Sequence, residues 1–135
     1  NAKQKIPNDN KILMKETEDI TNNNSHLKLV FAFNYGSHNE IHSAIMDLHN
    51  NILEKMLSLE EIADSFYSYF QYPDIPYPDL LLRTAGEKRI SNFLLYQLAY
   101  TELIFIDHLW PDVNQDILDN VLLEFKSRNR TYGKN

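Results

Sequence analysis

Between Lys55 and Lys126 the chain carries three cationic side chains, Arg83, Lys88 and Arg89, all inside the segment DLLLRTAGEKRISNFLL. Guanidinium groups are planar, stay charged near neutrality and present forked donors that match carboxylate or phosphate oxygens. Gathered in an otherwise acidic stretch, they point to an anion as the bound species. The elements expected around them point the same way. Asp79 to Thr84 reads as a short buried strand, Ala85-Gly86 as a turn, and Ser91-Asn92 as the start of a helix running FLLYQLAY. In open α/β sheets ligands bind beyond the carboxyl ends of strands, and the free amides and dipole of a helix N-terminus favour anions. Arg83, Arg89 and the Ser91 hydroxyl would then converge on a diphosphate or a carboxylate. A plainer reading pairs the strand-ending Arg83 with Glu87 or Asp79 at the surface and leaves Ser91 as an N-cap.

The elements that must position these residues follow from hydrophobic period. LKLVFAFN, residues 27–34, is nearly continuously apolar and β-favouring, as expected of a strand buried on both faces of a parallel sheet. Tyr35-Gly36 is a turn, and Ser37-His38-Asn39-Glu40 fits a capping box that starts a helix. Ile41, Ala44, Ile45, Leu48, Ile52 and Met56 repeat there at helical spacing. Ser58 and Glu61 repeat the capping signal before a second helix carrying Ile62, Phe66, Tyr69 and Phe70, which Tyr72-Pro73 and the prolines through Pro78 end. After the basic segment, Glu102 to Asp107 reads as a strand. Asn114 or Asp116 opens a last helix with Ile117, Val121, Leu122 and Phe125 on one side. The alternation predicts an α/β fold, a parallel sheet with right-handed crossovers and flanking helices.

With 135 residues the chain suits one domain. A 43% hydrophobic content, with eight Tyr and seven Phe, excludes disorder, and no apolar run approaches the length of a spanning helix. The formal net charge of −6 argues against a nucleic-acid surface. Zero Cys removes disulfides, thiolate zinc sites and thiol catalysis, which suits a reducing compartment. The five His show no metal-ligand spacing with a carboxylate partner, and no D-D-x-x-D segment occurs. Residues 1–26 are polar and expected to be partly mobile apart from a short helix near Ile12 to Ile20, with residues 27–135 forming the structured portion. Asn1 in place of Met, without a signal segment, reads as the start of an internal fragment.

The order of residues in the basic segment and after it resembles the C-terminal signature of the cis-prenyltransferases, the undecaprenyl and dehydrodolichyl diphosphate synthases. The residues that carry the resemblance are Arg83, Arg89, Ser91, Asn92-Phe93-Leu94-Leu95, Gln97, Ala99-Tyr100, Glu102 and Leu109-Trp110-Pro111-Asp112. Thr21 to Ile41 also looks like the family's central strand and its N-Y-G-x-x-x-E-I turn, with His38 where many members carry Arg. The likeness covers the C-terminal half only, because the D-G-N-x-R-x-A loop, the magnesium-linked aspartate and much of the product tunnel belong to an N-terminal half whose residues do not occur in this sequence. At the far end, the family's R-x-G motif becomes T-Y-G at Thr131 to Gly133, with Arg130 one residue earlier as a substitute cation.

By this resemblance Arg83, Arg89 and Ser91 bind the diphosphate of isopentenyl diphosphate, and Glu102 is a catalytic acidic residue linked to magnesium. The implied cofactor is Mg2+, and the implied partner substrate is an allylic diphosphate such as farnesyl diphosphate. The implied reaction has the allylic diphosphate leave as positive charge develops on carbon, the alkene attack, and a proton depart, giving a long-chain polyprenyl diphosphate. The implied assembly is a homodimer, with the fragment alone inactive. The expected location is cytoplasmic, and a very apolar product implies delivery to a membrane through peripheral contact, at the endoplasmic reticulum in a eukaryote, although no basic amphipathic helix is evident. The alternative is a non-catalytic partner subunit of a heteromeric cis-prenyltransferase. Such relatives lack the intact basic motif, which this chain keeps. Tyr96, Phe105 and Trp110 are read as packing or subunit contacts and not as prenyl-binding aromatics.

Overall fold

Pro7, extended at φ −54° and ψ 147°, leads into α1, Asn8–Thr21. The computed structural model describes residues 6–55 and 57–129, and the chain divides into two compact units, Asn1–Tyr35 and Gly36–Asn135. In the first unit, α1 covers the expected helix and begins earlier than Ile12. It buries no side chain, and Ile12, Leu13, Met14 and Ile20 are exposed. Thr17 and Thr21 donate their hydroxyls to the carbonyls of Leu13 and Thr17.

Residues 27–34 differ from expectation. Instead of a ladder strand they form an irregular segment in which Leu27, Leu29, Phe31 and Phe33 are exposed. A strand exists only where a neighbour takes up its amides and carbonyls. Among the described residues the one ladder is formed by two other segments. The apolar, β-favouring pattern is present without a paired edge.

In the second unit, α2, Ser37–Lys55, places Ile41, Ala44, Leu48 and Ile52 on its covered side, with Ala44 and Leu48 buried, while Ile45 is exposed. Met56 lies outside the described residues. Ser58 begins α3, Leu59–Ser65, with the expected capping box: its hydroxyl oxygen accepts from the Glu61 amide at 3.3 Å, and its own amide donates to the Glu61 carboxylate at 2.8 Å. The accepted bonds hold the Glu61 carboxyl below the usual carboxylate range. The expected longer helix tightens into a 3-10 turn over Phe66–Tyr69, against which α2 packs. Phe66, Tyr67, Phe70, Tyr77 and Tyr96 form an aromatic cluster there, with ring centroids 4.9 to 6.3 Å apart. Tyr96 thus packs as expected. Burial first, then the charge of Glu40, raises the Tyr67 phenol, which donates to the Ile75 carbonyl at 3.1 Å.

The sheet consists of β1, Leu80–Arg83, and β2, Glu102–Phe105, paired in parallel with Leu80 opposite Glu102 and Arg83 opposite Phe105. Both strands fall inside the expected segments. Asn114 caps α4, Gln115–Ser127, by accepting from the Ile117 amide at 3.1 Å. This helix packs on β2 through a face that buries Val121 and partly covers Ile117 and Phe125, whereas Leu122 is exposed.

Candidate anion-binding site

The crossover from β1 to β2 is where expectation and structure part. Ser91 to Tyr100 is a series of turns and not a helix. Ser91, Asn92 and Leu94 have φ of 47°, 64° and 46°, and Ala85 has φ 65°. Left-handed backbone at side-chain-bearing residues costs roughly 1–2 kcal/mol each and breaks a right-handed helix. Several amides of this segment are committed within the chain. Phe93 N–H donates to the Ile90 carbonyl at 3.0 Å, Leu95 N–H to Ser37 Oγ at 2.7 Å, and Leu98 N–H to the Leu94 carbonyl at 2.9 Å.

Arg83 ends β1, and its carbonyl accepts the Ile106 amide at 2.9 Å, which fixes the backbone beneath the guanidinium. The chain then turns through Ala85 and Gly86, whose amides donate to the carbonyls of His108 and Ile106 at 2.8 and 2.9 Å. Gly86 has φ 66°, and a Cβ there would sit 3.1 Å from Asp107 Oδ1, so glycine suits both the backbone and the space. Among the described residues Arg83 makes no ion pair. It lines an open cavity of about 360 Å³ whose other walls are apolar, formed by Leu80, Leu82, Ile90, Phe93 and Leu98 among others. Arg89 pairs with Glu87, and its side chain remains 64% exposed. Lys88 and Ser91 are exposed on the same loop.

Glu102 is not brought to this group. It starts β2 in register with Leu80, while Arg83 stands at the other end of β1, three residues or roughly 10 Å along the strands. Its carboxylate accepts from Arg128 Nη1 at 2.8 Å, and Arg128 also reaches the Leu103 carbonyl at 3.0 Å and Glu124 at 2.6 Å. The bonds to Glu102 and then to Glu124 raise the Arg128 guanidinium further above neutrality. Thr131 and Arg130 lie outside the described residues.

Sequence reasoning missed the support beneath the basic loop. Asn92 does not begin a helix of its own; it caps α2. Its carbonyl accepts the Ser37 amide and its Oδ1 the His38 amide, both at 2.9 Å. A cap supplied from more than fifty positions away has no local spacing to reveal it. Glu40 likewise works at a distance. Buried on α2, it accepts from the Gln71 amide at 3.1 Å and from Gln97 Nε2 at 3.0 Å, tying the helix to the aromatic turn and the crossover.

The cavity runs along β1 from Pro78 and Leu80 to Arg83, and it is the chain as a whole that is similar to known proteins. The family model described as "Putative undecaprenyl diphosphate synthase" matches residues 1–133. The chain belongs to this family. It is 43% identical to isoprenyl transferase 2 of Bradyrhizobium diazoefficiens, over 90% of this chain and 48% of that one. It is 39% identical to the Micrococcus luteus undecaprenyl-diphosphate synthase named as farnesyl-diphosphate specific, over 95% of this chain and 52% of that one. Among solved structures, lavandulyl diphosphate synthase from Lavandula x intermedia, in complex with dimethylallyl diphosphate, superposes with a TM-score of 0.90 at 28% identity, covering 98% of this chain and 57% of that one. The chain thus spans about half the length of the curated relatives it matches. Several relatives are named as isoprenyl transferases or undecaprenyl-diphosphate synthases, and no helix among the described residues is long and apolar enough to cross a membrane.

Proposed function

We propose that the protein of which this chain is part condenses isopentenyl diphosphate with an allylic diphosphate, and that this chain carries the isopentenyl diphosphate site. The observation that carries the reading is the pairing of Arg83, without an ion-pair partner among the described residues, with an apolar cavity of about 360 Å³. The five-carbon substrate is an amphiphile with a strongly charged end. Arg83, Arg89 and the Ser91 hydroxyl would hold the diphosphate, and the wall of Leu80, Ile90, Phe93 and Leu98 would take the hydrocarbon. Held in this way, the alkene is oriented to attack the allylic carbon as the allylic diphosphate leaves, after which it loses a proton. The Arg89–Glu87 pair is exposed and worth about 0–1 kcal/mol, so a diphosphate, with more charge, can displace it.

Magnesium, implied by kinship, would neutralise diphosphate charge when bound. Among the described residues no group of three His, Asp or Glu side chains converges, and Glu102 is engaged by Arg128. Glu102 enters the reading as the family's magnesium-linked acidic residue. Its test is separate. Glu102→Gln should reduce the magnesium dependence of the complete enzyme; an unchanged dependence with lower stability would leave Glu102 as the partner of Arg128 alone. The starter is an allylic diphosphate such as farnesyl diphosphate, although a Pyrococcus furiosus relative is named as geranylgeranyl-diphosphate specific. Homodimer formation, residues 27–135 as part of a single domain, a cytoplasmic location with peripheral membrane contact, and inactivity of this half alone belong to the same proposal.

The decisive experiment is calorimetric titration of isopentenyl diphosphate, with magnesium, into the folded chain and into Arg83→Ala/Arg89→Ala. Binding by the parent that is lost in the variant supports the site. Equal binding by both, or none by a parent shown to be folded, counts against it.

A further inference from the structure

The two halves of the basic site are anchored by different parts of the fold. Arg83 is fixed by strand pairing, through the bond from the Ile106 amide to its carbonyl. Arg89 and Ser91 lie on a loop with no ladder, and Ser91, Asn92 and Leu94 occupy the left-handed region. Such backbone persists only where the surroundings over-determine it. What surrounds it is the first turn of α2, whose amides have no partners inside the helix. Asn92 takes two of them, Ser37 N–H with its carbonyl and His38 N–H with Oδ1, each at 2.9 Å, while Ser37 Oγ takes the Leu95 amide at 2.7 Å. Gly36 permits the approach, because a Cβ there would stand 2.8 Å from Asn92 Nδ2. Asparagine suits the position on two counts. It enters the left-handed region more readily than other side-chain-bearing residues, and its oxygen caps a helix without adding negative charge beside an anion site.

We infer that Asn92 is a positioning residue: docked on the N-terminus of α2, it sets Ser91 and Arg89 at a fixed place relative to Arg83, without itself touching the ligand. This rests on the isopentenyl diphosphate site proposed above and adds what holds that site in shape. Gly36 and Ser37 complete the dock.

The test is titration of isopentenyl diphosphate with magnesium into Asn92→Ala, Gly36→Ala and the double variant, each confirmed folded by circular dichroism at the titration temperature, with Arg83→Ala/Arg89→Ala as control. Asn92→Ala and Gly36→Ala should each weaken binding by about ten- to hundred-fold, the scale of a displacement near 1 Å. Because both act on one contact, the double variant should bind no more weakly than Asn92→Ala alone. A role in folding only would leave the affinity of the folded variants at the parent value, and that result overturns the inference. If the arginine variant also binds like the parent, the site itself is wrong; if it loses binding while both dock variants keep it, only the role of Asn92 fails. A second readout needs no variant. Ligand binding to the parent should slow hydrogen exchange at the His38 and Leu95 amides, and unchanged exchange at both counts against the dock.

Discussion

The two ends of the β1–β2 pair put charge to different uses. At the amino end, Glu102 faces Arg128, which also grips Glu124 and the Leu103 carbonyl, so the charges there are matched within the chain. At the carboxyl end, Arg83 has no ion-pair partner among the described residues and borders an apolar cavity, and the exposed Arg89 leans on a partly covered Glu87. A matched set joins α4 to the sheet on which it packs. An unmatched cation beside an apolar wall, followed by a loop of left-handed residues, stores no comparable stability, which is the arrangement the proposed site requires. The same sheet therefore carries charges matched within the chain at one end and, at the other, the cations of the proposed isopentenyl diphosphate site.

Removing both cations at the carboxyl end should have the largest effect, and on binding alone. Hydrogen bonds to charged groups contribute about 1.5–3 kcal/mol each, so Arg83→Ala/Arg89→Ala should weaken isopentenyl diphosphate on the order of 100-fold or more. The urea midpoint should stay near that of the parent, because no interior contact is lost. A variant that unfolds early would erase the distinction between the two ends. The buried link at Glu40 should behave oppositely. Glu40→Ala strands Gln97 Nε2 and the Gln71 amide away from water, and should cost about 1–3 kcal/mol in urea unfolding. Gln97 Oε1 is already without a partner among the described residues, so the amide has no second bond to fall back on.

How far the sequence could reveal this division depends on the range of the interactions. The Ser58–Glu61 cap, the Asn114 cap and both strands were legible because their signals lie within a few residues of one another. The helix expected at Ser91 to Tyr100 was not found, although FLLYQLAY has the right composition. There Ser37 donates its amide to the Asn92 carbonyl and accepts the Leu95 amide at its hydroxyl, each across more than fifty residues, and that tertiary contact overrides local propensity. Residues 27–34 teach the complementary point, since strand-like sequence forms a ladder only beside a partner edge. At the proposed site, charge isolation picks out Arg83 and Arg89 in one segment, whereas Ser91 enters through the helix start expected there and the family resemblance. The separation of Glu102 from them was not legible, because it follows from strand register.

A smaller loss is expected at the amino end. Arg128→Ala should lower the thermal midpoint by a few degrees while leaving isopentenyl diphosphate affinity at the parent value. A large loss of affinity would mean that the two ends are coupled through β2, and the comparison would have to be redrawn.

The smallest effect tests the same rule on an exposed charge matched within its own turn. Glu61 accepts bonds from the Ser58 amide and hydroxyl, and these hold its carboxyl below its ordinary value. A group whose folded value is depressed contributes stability that is present above the ordinary value and is lost as pH falls through the folded one. Glu61→Gln removes the titrating charge but keeps a side-chain oxygen as acceptor. The parent should therefore melt slightly higher than Glu61→Gln at neutral pH, and the gap should close as pH falls below about 4.5. Isopentenyl diphosphate affinity at neutral pH should be the same in both proteins, since α3 contributes nothing to the cavity. Thermal melts across that pH range are the check. A gap that persists in acid would assign the stabilisation to the neutral hydrogen bonds, whereas no gap at neutral pH would mean that a matched but fully exposed charge contributes nothing measurable, confining the rule to the partly covered pair at Glu102.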